Sequence, residues 1–186
     1  MCGRYFIDPD DIKLEDILSE TGRGLENASE LPPLKGGEIF PGVAVPVITA
    51  AKTLLMTWGY PGFAGKRPFI NARSETAAVK KTFSADMASR RCLVPASGYY
   101  EWKTLENKRK EKYAFRLSAG TMMLMAGIYD PGGRFAILTR EASPAIMEIH
   151  NRMPVIIPFN LSEAWLSITS EVLREAATDV FFSALP

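Results

Sequence analysis

Along the middle of the chain, short runs rich in β-branched and aromatic residues are broken by Gly and Pro, which is a strand pattern rather than a long-helix pattern. It predicts strands over residues 3–7, 44–49, 53–58, 91–96, 113–117, 122–129 and 134–139. Pro131-Gly132-Gly133 reads as the turn of the last hairpin and residues 106–112 as a charged hairpin loop. Apolar positions at helical spacing are fewer. Asp8-Pro9-Asp10-Asp11 has the form of a helix start, with Asp8 as N-cap, Pro9 in the first turn and acids at the positive dipole end. Ile12, Leu14, Ile17 and Leu18 give that helix a buried stripe reaching about Thr21. Residues 22–42, with their Gly and Pro, read as loop. Short helices are expected at 74–81, 84–89, 143–149, 161–166 and 170–177. Central strands with short peripheral helices predict an α+β fold around a mainly antiparallel sheet or barrel.

Composition narrows the class. The 186 residues, 47% of them hydrophobic, suit one domain over 1–186 that needs no staple. Lys and Arg number 22 against 21 Asp and Glu, a net charge of +1, so any nucleic-acid contact has to come from a local basic groove. No apolar run approaches a membrane span and no signal-peptide pattern is seen, which predicts a soluble, cytoplasmic protein; monomer is the default expectation. Two cysteines, Cys2 and Cys92, make no disulfide framework, and a single His completes no His-rich metal site. No metal and no cofactor are expected.

Candidate chemistry begins at Cys2. With Met1 removed, this residue carries an α-amine (pKa about 7.7–8.0) and a thiol (about 8.5) on adjacent carbons. Such a 1,2-aminothiol serves as an N-terminal nucleophile or condenses with an aldehyde to a thiazolidine; a second-position Cys is also a common accident. Cys92, within an apolar run, reads as a packed core thiol. Ile70-Asn71-Ala72-Arg73-Ser74-Glu75-Thr76 places an amide, a guanidinium and a hydroxyl at a strand-to-helix junction, which fits either an anion site or a plain cap. Glu101 lies among the aromatics of Gly98-Tyr99-Tyr100-Glu101-Trp102-Lys103; it is a general acid or base if buried there, and an ordinary surface Glu if it faces outward. His150, the only His, precedes Asn151-Arg152-Met153-Pro154 and is either a proton carrier or structural. Arg152 binds phosphate or complements a helix end. Trp58, Phe63 and Trp102 are stacking platforms for unpaired bases or core residues. The Lys108-Arg109-Lys110 run reads as a solvated face.

In order, Met1-Cys2-Gly3-Arg4-Tyr5, Trp58-Gly59, Ile70 to Thr76, Gly98 to Lys103 and Ile149-His150-Asn151-Arg152-Met153-Pro154 resemble the motifs of the SOS response-associated peptidase (SRAP) family. The resemblance runs from residue 2 to about 157. It implies a β-rich core with flanking helices, a positively charged groove for single-stranded DNA, and covalent reaction with abasic sites. The family's catalytic Cys, Asn, Glu and His match Cys2, Asn71, Glu101 and His150. Its DNA contacts match Arg4, Arg73 and Arg152, with Pro41, Trp58, Trp102 and Thr139 lining the groove. Phe63 stands where relatives carry a tryptophan-rich loop and Lys81 where some carry Arg. Two other readings stay open: a Cys–His hydrolase with Asn71 in an oxyanion hole, acting on a peptide or on Met1 itself, and a non-catalytic single-strand DNA binder.

Overall fold

The computed structural model describes residues 2–8, 36–62, 65, 67–117, 122–167 and 180–185. The helix expected from Asp8 to about Thr21, most of the 22–42 loop, Phe63 and the helix at 170–177 lie outside the described residues.

Thirteen strands are described, in two sheets. The first has β1 (Arg4–Ile7) between β2 (Gly37–Ile39) and β7 (Gly98–Thr104), continued by β8 (Lys110–Leu117) and β13 (Val180–Ala184), all antiparallel. The second contains β3 (Ala44–Thr49), β4 (Thr53–Trp58), β6 (Arg91–Ala96), β9 (Met123–Tyr129) and β10 (Arg134–Glu141). These five close on themselves: β10 pairs β4, β4 pairs β3, β3 pairs β6, β6 pairs β9, and β9 returns to β10. Closure removes the open edges that such apolar strands would otherwise present. β6 and most of β3, β9 and β10 are buried, whereas β4 buries only Met56 and Trp58. The expected sheet-or-barrel core is therefore a closed ring flanked by a five-stranded sheet.

β10 organises the site. Along one edge it pairs in parallel first with β4 and then with β5 (Asn71–Arg73); along the other it pairs with β9 and then with β11 (Arg152–Pro154). The chain leaves β10 after Trp58 and returns as β5. Gly59 makes that departure at φ +124°, and a Cβ there would lie 3.1 Å from the Pro68 side chain. A Tyr60–Phe69 bridge closes the excursion. β12 (Ile156–Ile157) adds to β9.

The helices are short, as expected: α1 (Ser74–Ala77), α2 (Ser84–Ser89), α3 (Pro144–Met147) and α4 (Ser162–Leu166). α1 stops well before residue 81, and the chain continues as turns to Phe83. Residues 98–104, expected only to follow a strand, are themselves β7, and residues 37–39, expected as loop, form β2.

Candidate active site

Cys2 is fully buried immediately before β1. Its carbonyl oxygen accepts a hydrogen bond from Asn71 Nδ2 at 2.8 Å, and its thiol donates to the Arg4 carbonyl at 3.6 Å. Burial first, and then the charge of Glu101, push the thiol well above its ordinary pKa. The sulfur therefore rests as a thiol at neutral pH. Asn71 reaches Cys2 because β5 is held on β10, with Ile137 opposite Asn71, and because the Trp58 indole N–H donates to the Ile70 carbonyl at 2.9 Å.

Glu101 is 4% exposed in β7, so it is the buried carboxylate of the two alternatives rather than the surface one. His150 follows α3, and its Nδ1 lies 3.9 Å from Glu101 Oε1. Nδ1 lies 3.0 Å from the Arg152 backbone nitrogen and 3.2 Å from the Arg152 carbonyl oxygen. Glu101, His150, Gly3, Arg4 and Trp102 line an open cavity of about 890 Å³, to which Arg67, Lys110 and Lys112 add three cations. Among the described residues no group of three His, Cys, Asp or Glu side chains is placed to hold a metal ion. No helix among them is long and apolar enough to cross a membrane.

The expected DNA contacts separate into three groups. Arg4 and Trp102 line the cavity; the guanidinium lies 5.0 Å from the Trp102 ring and 4.7 Å from Phe40, and pairs with Glu38 at 3.3 Å. Glu38 also binds Lys112, and that hydrogen bond first, with the two cations, holds its carboxyl below the usual range. Arg73 and Lys81 are exposed and Pro41 is half-buried in the turn before β3. The third group is internal. Trp58 is completely buried, stacked on Phe135 with ring centroids 6.4 Å apart, so it is a core residue that sets β5 and offers no face to a base. Thr139 is also buried, and its carbonyl accepts from Arg152 at 2.6 Å. The Arg152 fork is occupied by Glu75, at 2.6 and 2.9 Å. A phosphate would have to compete with that carboxylate. Arg152 Nε is buried without a hydrogen-bond partner among the described residues.

Sequence reasoning missed Glu75 and Glu38 as partners of the cations, and Lys112 and Arg67 as cavity cations. Glu75 lies inside the Asn71–Thr76 motif, but nothing in the sequence pairs it with a residue 77 positions on.

A family model described as SOS response associated peptidase (SRAP) matches residues 1–183. The chain belongs to the SRAP family. Within it, the chain is 35% identical over 106 residues to abasic site processing protein YoaM of Bacillus subtilis strain 168, covering 53% of this chain and 47% of that protein. The match thus spans about half the length of that relative. Over 97% of its length the chain is 29% identical to abasic site processing protein YedK of Escherichia coli K12, covering 85% of it. A crystal structure of a Bacteroides thetaiotaomicron protein shares the SRAP-like fold, with a TM-score of 0.79 at 22% identity, covering 100% of this chain and 92% of that one.

Proposed function

We propose that this SRAP chain captures abasic sites in single-stranded DNA, forming a covalent thiazolidine between Cys2 and the sugar aldehyde. The observation that carries the reading is the hydrogen bond from Asn71 Nδ2 to the Cys2 carbonyl, beside the Glu101–His150 pair and a cavity with four cations. The relatives named as abasic site processing proteins support the same substrate.

With Met1 removed, the Cys2 amine adds to the opened aldehyde and loses water to give an imine. The Cys2 sulfur then bonds to the imine carbon, the C=N electron pair moves to nitrogen, and nitrogen takes the proton given up by the thiol. The balance is aminothiol plus aldehyde giving thiazolidine plus water. Asn71 holds the Cys2 backbone in place for the attack. His150 and Glu101 carry the protons of ring opening and dehydration. Arg4, Lys110 and Lys112 hold the phosphates of the strand, and Trp102 gives an unpaired base a surface to stack on. The chain acts as a monomer. A Cys–His hydrolase is disfavoured: it leaves the buried Glu101 without a task.

The test uses protein shown by mass to lack Met1 and an oligonucleotide with one abasic site. A heat- and SDS-stable shifted band is expected, and Cys2→Ala should abolish it. An undiminished band with Cys2→Ala, or none with the wild type, overturns the reading.

A further inference from the structure

Of the three rings expected to stack on unpaired bases, Trp58 is buried in the core and Phe63 lies outside the described residues, which leaves Trp102. A second exposed ring stands near it. Phe40, 43% exposed, directly follows β2 and has no part in the chemistry above. The Arg4 guanidinium joins the two: it lies over the Phe40 ring at 4.7 Å and over the Trp102 ring at 5.0 Å. Arg4 is a cavity residue, and its carbonyl accepts from the Cys2 thiol. Its guanidinium is held in turn by Glu38 at 3.3 Å. The backbone under Phe40 is fixed as well. Ile39 pairs with Tyr5 of β1, the Phe40 carbonyl accepts from the Val43 N–H at 3.2 Å, and the Gly42 N–H donates to the Trp58 carbonyl at 2.8 Å. Gly42 makes this turn at φ +90°, a conformation that suits glycine. A lone exposed apolar side chain is ordinary in a folded protein. An aromatic ring on a pinned turn, joined through one arginine to the cavity's own aromatic residue, is instead a preorganised platform.

We propose that Phe40 is a stacking platform for the nucleobase next to the abasic nucleotide, extending the aromatic surface of the cavity from Trp102 across Arg4. This rests on the abasic-site reading and deepens it by naming a contact to the neighbouring nucleotide. An abasic nucleotide has no base, so its neighbours lose a stacking partner and leave an apolar face in water. Phe40 offers that face a ring, and such stacking tolerates any sequence because each base has a π-face. Arg4, which lies over the same ring, supplies a cation for the phosphate beside the stacked base. The ring is held in place before the strand arrives, so little ordering cost is left to binding.

The test measures reversible binding of the wild-type protein to a single strand with one tetrahydrofuran site flanked by adenines. Tetrahydrofuran lacks the aldehyde, so the strand binds without reacting. Phe40→Ala should bind about five- to a hundredfold more weakly, and Phe40→Trp should restore the affinity. The slope of log affinity against log salt should stay the same in Phe40→Ala, since no charge is lost. Leu55→Ala, which trims an exposed apolar side chain of β4 outside the cavity lining, should change nothing. Replacing the flanking adenines by further tetrahydrofuran units removes the bases, and the difference between wild type and Phe40→Ala should then vanish. That cycle separates stacking on a base from a disturbance of Arg4. Equal affinity of Phe40→Ala and wild type overturns the proposal. So does a loss that persists without the flanking bases, or a wild type that does not bind. If binding depends on Phe40 as described but a natural abasic site gives no heat-stable band, the covalent reading fails and the platform stands. If the band forms and Phe40→Ala binds like the wild type, the platform alone fails.

Discussion

At Cys2 two opposed influences meet, and they can be separated one residue at a time. Burial and the Glu101 carboxylate both disfavour the thiolate. Replacing Glu101 by Gln removes the charge while keeping the shape. The thiol pKa should fall, and Cys2 alkylation at pH 8 should become about two- to threefold faster. Adduct formation with abasic DNA should instead fall, because the proton carrier is lost. That opposite movement distinguishes a catalytic carboxylate from one that only fills space; a variant slower in both assays would count against the charge coupling. Cys2, Asn71, Glu101 and His150 were all legible as candidates, because each sits in a compact motif of unusual residue types. Their proximity was not legible: it depends on β1 pairing β7 and on β5 lying along β10.

Elements of four residues such as α1 and α3 are too short to hold themselves, so something must tie them down. For α1 the tie is Glu75, whose carboxylate grips the Arg152 fork and so joins the Asn71 segment to β11 and the turn bearing His150. The Arg152 hydrogen bond first, and the Arg152 charge with it, lower the Glu75 carboxyl from 4.5 to about 2. A carboxyl depressed in the folded state stabilises the fold above its unfolded pKa, and that stabilisation drains away as pH falls from about 4.5 towards 2. Glu75 is about half exposed, which screens the pair and limits its worth to about 1 kcal/mol. Glu75→Gln should accordingly lower unfolding stability by about that amount at pH 6–7, with the gap to wild type narrowing below about pH 4.5 and nearly gone only at about pH 2 in urea titrations. A constant gap would mean packing rather than charge. The strands that the sequence pattern marked best were the apolar ones: 44–49, 53–58 and 91–96 coincide with β3, β4 and β6. β7 escaped because it is aromatic on both faces and turns a carboxylate inward, which hides the alternation. β11 and β12 are too short for any period to show.

For the molecule as a whole, the ring closes through contacts that no local pattern encodes. β10 takes two successive parallel partners, β4 and β5, on one edge, and the parallel pairing is set by the chain's return after Gly59. The same closure gathers charge from distant segments. A chain with a net charge of +1 has no long-range attraction for DNA. On the proposed reading the phosphate contacts are made by the cavity cations Arg4, Arg67, Lys110 and Lys112, two of which, Arg4 and Lys112, already share Glu38. About three to four phosphates neutralised on a single strand give a slope of log affinity against log salt of about −2 to −3. Raising salt from about 50 to 200 mM should then weaken reversible binding of Cys2→Ala protein to an abasic oligonucleotide roughly 15- to 60-fold. Lys110→Gln, which removes a cavity cation without breaking the Glu38 pairs, should make the slope shallower by about 0.7. A salt-independent affinity, or a slope untouched by Lys110→Gln, would move the DNA off this cavity and leave Cys2 facing a different path for the strand.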